Sequence, residues 1–168
     1  MSNVRRRMEK WQVYVQEAQT QLAFARDCFS KFQGALADGN THQVFLELHH
    51  FIVHAANVDK LLHPKPGSPR QSLLFGHVDL QGIDLKPLRR LRNHLEHFDE
   101  RLDQWIADHH GQTFFDMNII TGAKGFPSKA FLRALDGNVF KFYGEDFPLT
   151  PLYQSVEELH ARLKRSDA

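Results

Sequence analysis

The chain has few of the features that mark secreted or membrane proteins. Cys28 is the only cysteine among 168 residues, so no disulfide can form within the chain, which is typical of proteins from reducing compartments. No apolar run approaches the ~20 residues that a membrane-spanning helix needs, and no apolar stretch follows the basic segment 5–7 to make a signal peptide. We therefore expect a cytoplasmic protein that does not contact a membrane.

A large excess of one charge sign is also lacking. The formal net charge is +1, so a nucleic-acid partner has to bind a local basic patch rather than a global positive field. The chain is 42% hydrophobic and 24% charged, close to the average of globular proteins. Its 168 residues suffice for one core without disulfides or a structural metal, which predicts a single domain over residues 1–168.

Four segments carry apolar residues at alternating spacings of three and four, the period of an amphipathic α-helix. The first covers residues 8–36 and is followed by Gly39, a residue typical of helix C-termini. The second begins at Asn40 or Thr41 and ends before Pro64, because proline cannot continue a helix.

The third helix is predicted to begin at an N-cap, Asp84, and to end near residues 109–111, and the last begins after Pro148 or Pro151. A helical wheel of the third helix separates a core face from a basic flank. The core face consists of Leu88, Leu91, Leu95, Phe98, Leu102 and Trp105, and the basic flank of Arg90, His94, His97 and Arg101. Four such helices predict a mainly α fold, an antiparallel four-helix bundle.

A change of pattern before the last helix indicates a small β insertion at about residues 112–147. Residues 113–121 are rich in β-branched and aromatic side chains, and the segments 131–135 and 139–143 flank Asp136-Gly137-Asn138, a hairpin signal. We predict two or three antiparallel strands, a hairpin or small sheet appended to the bundle.

The third helix contains the one motif from which a function can be argued. Arg92-Asn93-His94-Leu95-Glu96-His97 resembles the Arg-x(4–6)-His signature of the HEPN superfamily, and Asn93 and Leu95 also match residues frequent in that family. The resemblance covers about six residues closely and the helical architecture loosely. It departs from one subset, toxins paired with nucleotidyltransferase antitoxins, because Asp99 stands where that subset has a modifiable tyrosine.

The resemblance implies a metal-independent endoribonuclease, often a toxin or a phage-defence component, that forms a homodimer with two motifs in one cleft. Its partners are RNA and, in toxin members, an antitoxin protein. His97 is implied as general base or acid, Arg92 as the group that stabilises the phosphate, and Asn93 as support for either. Histidine titrates near neutral pH and a guanidinium suits a phosphorane-like transition state. Residues five apart lie about 140° apart on an ideal helix, so Arg92 and His97 converge only around a shared groove or across a dimer.

Four further polar residues are candidates for binding RNA phosphates. They are His94 and Arg101 on the basic flank, and His50 and His54 on a polar stripe of the second helix. From sequence alone, a solvated surface is the simpler interpretation of both groups.

Two alternatives from other functional classes remain open. The first is a catalytically silent HEPN-like module that binds RNA, nucleotide or protein. The second is a metal-binding bundle, since Glu47-x-x-His50 and Glu157-x-x-His160 have the spacing of di-iron proteins, Glu17 and Glu100 offer further carboxylates, and His50 with His54 has a zinc spacing. Eleven histidines make such spacings common by chance, so we assign no metal site and expect no cofactor.

Overall fold

The computed structural model describes residues 8–108, 115–127 and 129–166, and within them the chain is mainly helical with one small sheet. The elements in chain order are α1 (Lys10–Ala37), α2 (Thr41–Leu62), α3 (Pro69–Leu74), α4 (Lys86–Glu96), α5 (Phe98–Ala107), β1 (Asn118–Ile120), β2 (Arg133–Asp136), β3 (Val139–Phe142), β4 (Glu145–Pro148) and α6 (Leu149–Ser166). The predicted end of the third helix at 109–111 and the start of the β insertion at 112–114 lie outside the described residues.

The two longest helices, α1 and α2, form an antiparallel pair joined by a tight turn. Gly39 has φ 69°, and its N–H donates to the carbonyl of Leu36 while the N–H of Asn40 donates to that of Ala35. Glycine adopts this left-handed backbone without a Cβ clash, so Gly39 allows the turn to close the end of α1. The side chain of Asn40 then accepts the N–H of Gln43 and caps α2. The predicted boundary between the first two helices is confirmed.

Helix α6 packs on this pair through aromatic rings. The ring of Phe29 stacks on that of Tyr153 with centroids 4.0 Å apart, and Phe51 lies 5.1 Å from Phe29. Phe51 is fully buried, and helices α1, α2, α4 and α6 contribute to the same core. Burial of such rings is the main favourable term in folding.

The third predicted helix is divided in two, so the prediction of one continuous helix from Asp84 is wrong. His97 has φ −109° and ψ 38° and separates α4 from α5. The buried positions of α4 are Leu88, Leu91 and His94, each three residues after the last. This spacing drifts by about 60° per step around an ideal helix. Beyond the break, Trp105 of α5 is buried in the core.

The sheet lies between α5 and α6 in the chain and has the order β1-β2-β3-β4. Strands β2, β3 and β4 pair antiparallel, whereas β1 pairs with β2 in parallel, which the prediction of a purely antiparallel insertion did not include. Phe140 and Phe142 on β3 are fully buried, and the ring of Phe140 lies 6.4 Å from that of Phe45 on α2. The sheet thus covers one side of the helices and carries β4 to the edge of α4. No helix in the described ranges is long and apolar enough to cross a membrane.

Replacement of Phe51 by alanine tests the aromatic packing between the helices. Because the Phe51 ring is fully buried against Phe29, we expect Phe51→Ala to lower the free energy of unfolding by about 3–5 kcal/mol. The matched control is Phe75→Ala, since Phe75 is 85% exposed and its loss is expected to change stability by less than about 0.5 kcal/mol. Urea unfolding followed by circular dichroism measures both, and equal losses would contradict this core.

Candidate functional site

An open cleft of about 370 Å³ lies beside α4 and contains part of the predicted motif. Its lining consists of Arg89, Arg90, Asn93, His94, Arg101 and Glu145. Helix α4 supplies the first four residues, α5 supplies Arg101 and the first residue of β4 is Glu145. The cleft therefore exists only because the sheet returns to the helix that carries the motif.

His94 is buried at the base of the cleft rather than on a solvated flank, so its assignment to the exposed basic flank is wrong. It is 6% exposed, and the ring of Phe142 lies 5.3 Å from its own. Nε of Arg101 donates to Nδ1 of His94 at 3.2 Å, and Nε2 of His94 lies 3.1 Å from Oε1 of Glu145. Since a guanidinium can only donate, Nδ1 accepts and Nε2 carries the proton of a neutral imidazole.

This environment opposes protonation of His94. Burial lowers the pKa of His94, and the nearby guanidinium groups of Arg101 and Arg90 lower it further, while Glu145 acts in the opposite direction. The lone pair that a proton would occupy already accepts the Arg101 hydrogen bond. His94 therefore joins α4 and α5 to β4 as a neutral hydrogen-bonding group.

The arginines of the cleft differ in how far their charge is neutralised. Arg89 makes two hydrogen bonds of 2.7 and 2.9 Å to Asp59 of α2, and Arg90 pairs with Glu145. Burial acts to raise the pKa of Asp59, but hydrogen bonds from His63 and Arg89 outweigh it, and the pKa is lowered.

Arg101 makes no ion pair with a carboxylate among the described residues. Its guanidinium lies 5.5 Å from the Tyr143 ring centre, a cation–π contact. The guanidinium groups of Arg89, Arg90 and Arg101 thus face only two carboxylates, those of Asp59 and Glu145. The cleft therefore keeps a net positive charge that suits a phosphate.

Arg92, the first of the two principal motif residues, lies on a side of α4 away from the cleft. The guanidinium of Arg92 donates to Glu96, with Nε 3.0 Å from Oε1, and Lys60 of α2 lies 3.5 Å from the same oxygen. The Arg92 side chain is 17% exposed and does not line the cleft. The structure therefore gives Arg92 an ion pair within its own chain.

His97 lies at the junction of α4 and α5, next to the cleft. Its N–H donates to the carbonyl of Asn93 and its carbonyl accepts the N–H of Arg101, so Asn93, His97 and Arg101 follow one another at single helical turns. The His97 side chain is 48% exposed, and its Nδ1 lies 3.3 Å from Oε1 of Glu100. An accessible imidazole thus stands between two residues that line the cleft.

The two candidate RNA-binding residues on α2, His50 and His54, lie away from the cleft. Nδ1 of His54 is 2.9 Å from Oε1 of Gln21 on α1, and burial lowers the pKa of His54, with His50 adding to the effect. Neither His50 nor His54 lines the cleft beside α4.

The di-iron arrangement considered above is opposed by Arg26 of α1. Its guanidinium donates to Glu157 and lies 3.1 Å from Nε2 of His160, so a cation already occupies that pair on α6. A metal ion there would face the charge of the guanidinium.

Sequence reasoning missed the roles of Arg89 and Glu145. Arg89 is an exposed residue of α4 whose contact with Asp59 requires the α2–α4 packing, and Glu145 follows the motif by about fifty residues. No local spacing signals either contact. The basic flank of Arg90 and Arg101 was visible in the helical wheel, and both line the cleft.

Comparisons with protein-family models, with curated proteins and with solved structures find no match for this chain. The resemblance to the HEPN superfamily therefore rests on the sequence of the motif, Arg92, Asn93, Leu95 and His97.

The buried neutral state of His94 predicts how stability depends on pH. The folded-state pKa of His94 lies below the value in the unfolded chain, so in mild acid the unfolded state binds more protons than the folded state. The free energy of unfolding therefore decreases as the pH is lowered below about 6.5. We expect His94→Gln to lose less stability than wild type between about pH 7 and pH 5. Urea unfolding across this range measures the difference.

The matched control for this experiment is His42→Gln, because His42 is an exposed residue at the start of α2. It should follow the wild-type pH dependence. A wild-type pH dependence in His94→Gln as well would contradict a buried, neutral His94.

Proposed function

We propose that this protein is a metal-independent endoribonuclease of HEPN type that acts as a homodimer. The observation that carries the proposal is the exposed imidazole of His97, which stands one helical turn from Asn93 and one from Arg101 beside a positively charged cleft. An accessible imidazole next to a positively charged surface is suited to RNA cleavage by the 2′-hydroxyl, because histidine is the usual general base in such reactions. The proposal includes an antiparallel four-helix bundle formed by α1, α2, α4 with α5, and α6.

His97 acts as general base in this proposal. Its Nδ1 faces the Glu100 carboxylate, which favours the tautomer with the proton on Nδ1 and leaves Nε2 free to accept a proton. Nε2 removes the proton of the 2′-hydroxyl, the 2′ oxygen bonds to phosphorus, and the bond to the 5′ oxygen breaks as that oxygen takes up a proton from water. The protonated His97 then returns its proton to the solvent. The products are a 2′,3′-cyclic phosphate and a 5′-hydroxyl.

The cleft arginines hold the RNA backbone. Arg101 lacks a carboxylate partner among the described residues, and Arg89 is held in place by Asp59 while its side chain remains 56% exposed. Asn93 offers an amide at the same wall. These groups position the phosphates next to His97, and charge-assisted hydrogen bonds of this kind supply transition-state stabilisation.

The resemblance implies that Arg92 contacts the scissile phosphate. For this contact to form, the ion pair between Arg92 and Glu96 has to break. Arg92 donates to Glu96 and does not line the cleft where Arg89 and Arg101 would hold the RNA of the same subunit. A second copy of the chain would bring its own bound RNA to this side of α4, and the phosphate would compete with Glu96 for the guanidinium. The homodimer is thus part of the mechanism.

A second candidate, an RNA-binding module without cleavage, is favoured by the same ion pair. The Arg92 charge is offset by Glu96, whose carboxylate also contacts Lys60. If this pair persists in the RNA complex, the cleft still binds the backbone but lacks the guanidinium at the reacting phosphate. Binding in this case depends on Arg89 and Arg101.

Cleavage of bulk RNA in the presence of EDTA tests the proposal. We expect His97→Ala to lose activity by about 100-fold or more, since a positioned base contributes about 10²–10⁴-fold to such reactions. Arg92→Ala and Asn93→Ala are expected to lose about 10–100-fold by weaker phosphate stabilisation. His42→Ala is the matched control, an exposed histidine at the start of α2 away from the cleft, and should cleave as wild type does.

RNA binding distinguishes the two candidates. Wild type that binds RNA without cleaving it, with affinity lost in Arg101→Ala, would favour the binding module. Equal cleavage by wild type and His97→Ala, both folded, would overturn the assignment of the site. A toxin or phage-defence role in the cytoplasm, with an antitoxin partner, belongs to the same proposal, and growth arrest by wild type but not by His97→Ala supports it.

A further inference from the structure

The single cysteine of the chain lies beside two further metal-ligating residues. Cys28 of α1 is 8% exposed and faces the segment of α2 that carries Glu47 and His50. Each residue offers one ligand atom, and the three atoms lie within 4.8 Å of one another. They are the sulfur of Cys28, a carboxylate oxygen of Glu47 and a ring nitrogen of His50. No other group of three such ligands occurs in the described part of the chain. The pairing of α1 with α2 therefore assembles residues that are about twenty positions apart.

Glu47 is a buried carboxylate without a strong cationic partner. It is 7% exposed, and among the described residues no lysine or arginine forms an ion pair with it. Its nearest basic group is Nδ1 of His50, 3.9 Å from Oε2, and the amide of Gln43 donates to Oε1. A buried charge without a counter-ion is unfavourable, and a bound cation removes that penalty.

The arrangement of these side chains suits a small, tetrahedral cation. In a tetrahedral zinc site, bonds of about 2.0–2.3 Å separate neighbouring ligand atoms by roughly 3.3–3.6 Å. The 3.9 Å between Nδ1 of His50 and Oε2 of Glu47 exceeds this separation by about 0.3–0.6 Å, and the His50 side chain is half-exposed, so its ring has room to move. The Gln43 hydrogen bond holds one carboxylate oxygen and orients the other, as residues behind metal ligands commonly do.

We propose that Cys28, Glu47 and His50 bind a zinc-class divalent cation that joins α1 to α2, with a fourth position open to water on the side of His50. A thiolate, an imidazole and a carboxylate are the ligands that Zn²⁺ accepts, whereas Mg²⁺ and Ca²⁺ prefer oxygen alone. The site is separate from the cleft, since all its ligands come from α1 and α2. It does not depend on the proposed ribonuclease, whose chemistry uses no metal.

Cobalt(II) added to the purified, metal-free full chain tests the site, because a thiolate-bound Co²⁺ gives a charge-transfer absorption in the near ultraviolet. We expect one Co²⁺ per chain, displaced by Zn²⁺, and a loss of affinity of about tenfold or more in Glu47→Gln and His50→Ala. Cys28→Ser should abolish the charge-transfer band, since the chain has no other cysteine. The matched control is His54→Ala, one turn further along α2, which should bind as wild type does.

Thermal unfolding gives a second readout that does not require any variant of a buried residue. Zn²⁺ is expected to raise the Tm of wild type and of His54→Ala, but not of His50→Ala, since a ligand that binds only the folded state stabilises it. His50 is half-exposed, so its replacement leaves the fold intact. Absence of a charge-transfer band in wild type overturns the proposal. So does binding that is lost in His54→Ala and kept in His50→Ala.

Discussion

The pairing of α1 with α2 is the contact on which the other elements depend. Helix α6 packs on it through the stacked rings of Phe29 and Tyr153, the sheet through Phe45 and Phe140, and α4 through contacts with α2. A chain of this composition stabilises its fold by burying aromatic and aliphatic side chains, with no disulfide to assist. The turn at Gly39 sets the register of the pair, and with it the side chains that meet across it.

The candidate cleft follows from a second constraint, the burial of His94. A neutral imidazole that accepts from Arg101 and donates to Glu145 joins two helices to the edge of the sheet. Each partner of His94 also lines the cleft, so one hydrogen-bonded network both closes the fold and arranges the positive charge. The exposed His97 beside it is not part of this network, and its ring contacts Glu100 instead.

The sequence predicts well whatever depends on neighbouring residues. Gly39 and Asn40 mark the boundary of two helices because their turn and capping chemistry is local. The break at His97 leaves no such mark, since the apolar spacing continues through it. The burial of His94 and the meeting of Cys28 with Glu47 were not predictable, because each depends on residues brought from a distant segment by packing.

The ends of the RNA fragments test the central claim most directly. If His97 acts as base on the 2′-hydroxyl, wild type incubated with RNA and EDTA leaves 2′,3′-cyclic phosphate and 5′-hydroxyl ends, and His97→Ala leaves none. Analysis of the fragments by mass spectrometry reads both ends at once. Fragments with 3′-hydroxyl and 5′-phosphate ends would contradict the account, because they require an attacking water instead of the 2′-hydroxyl.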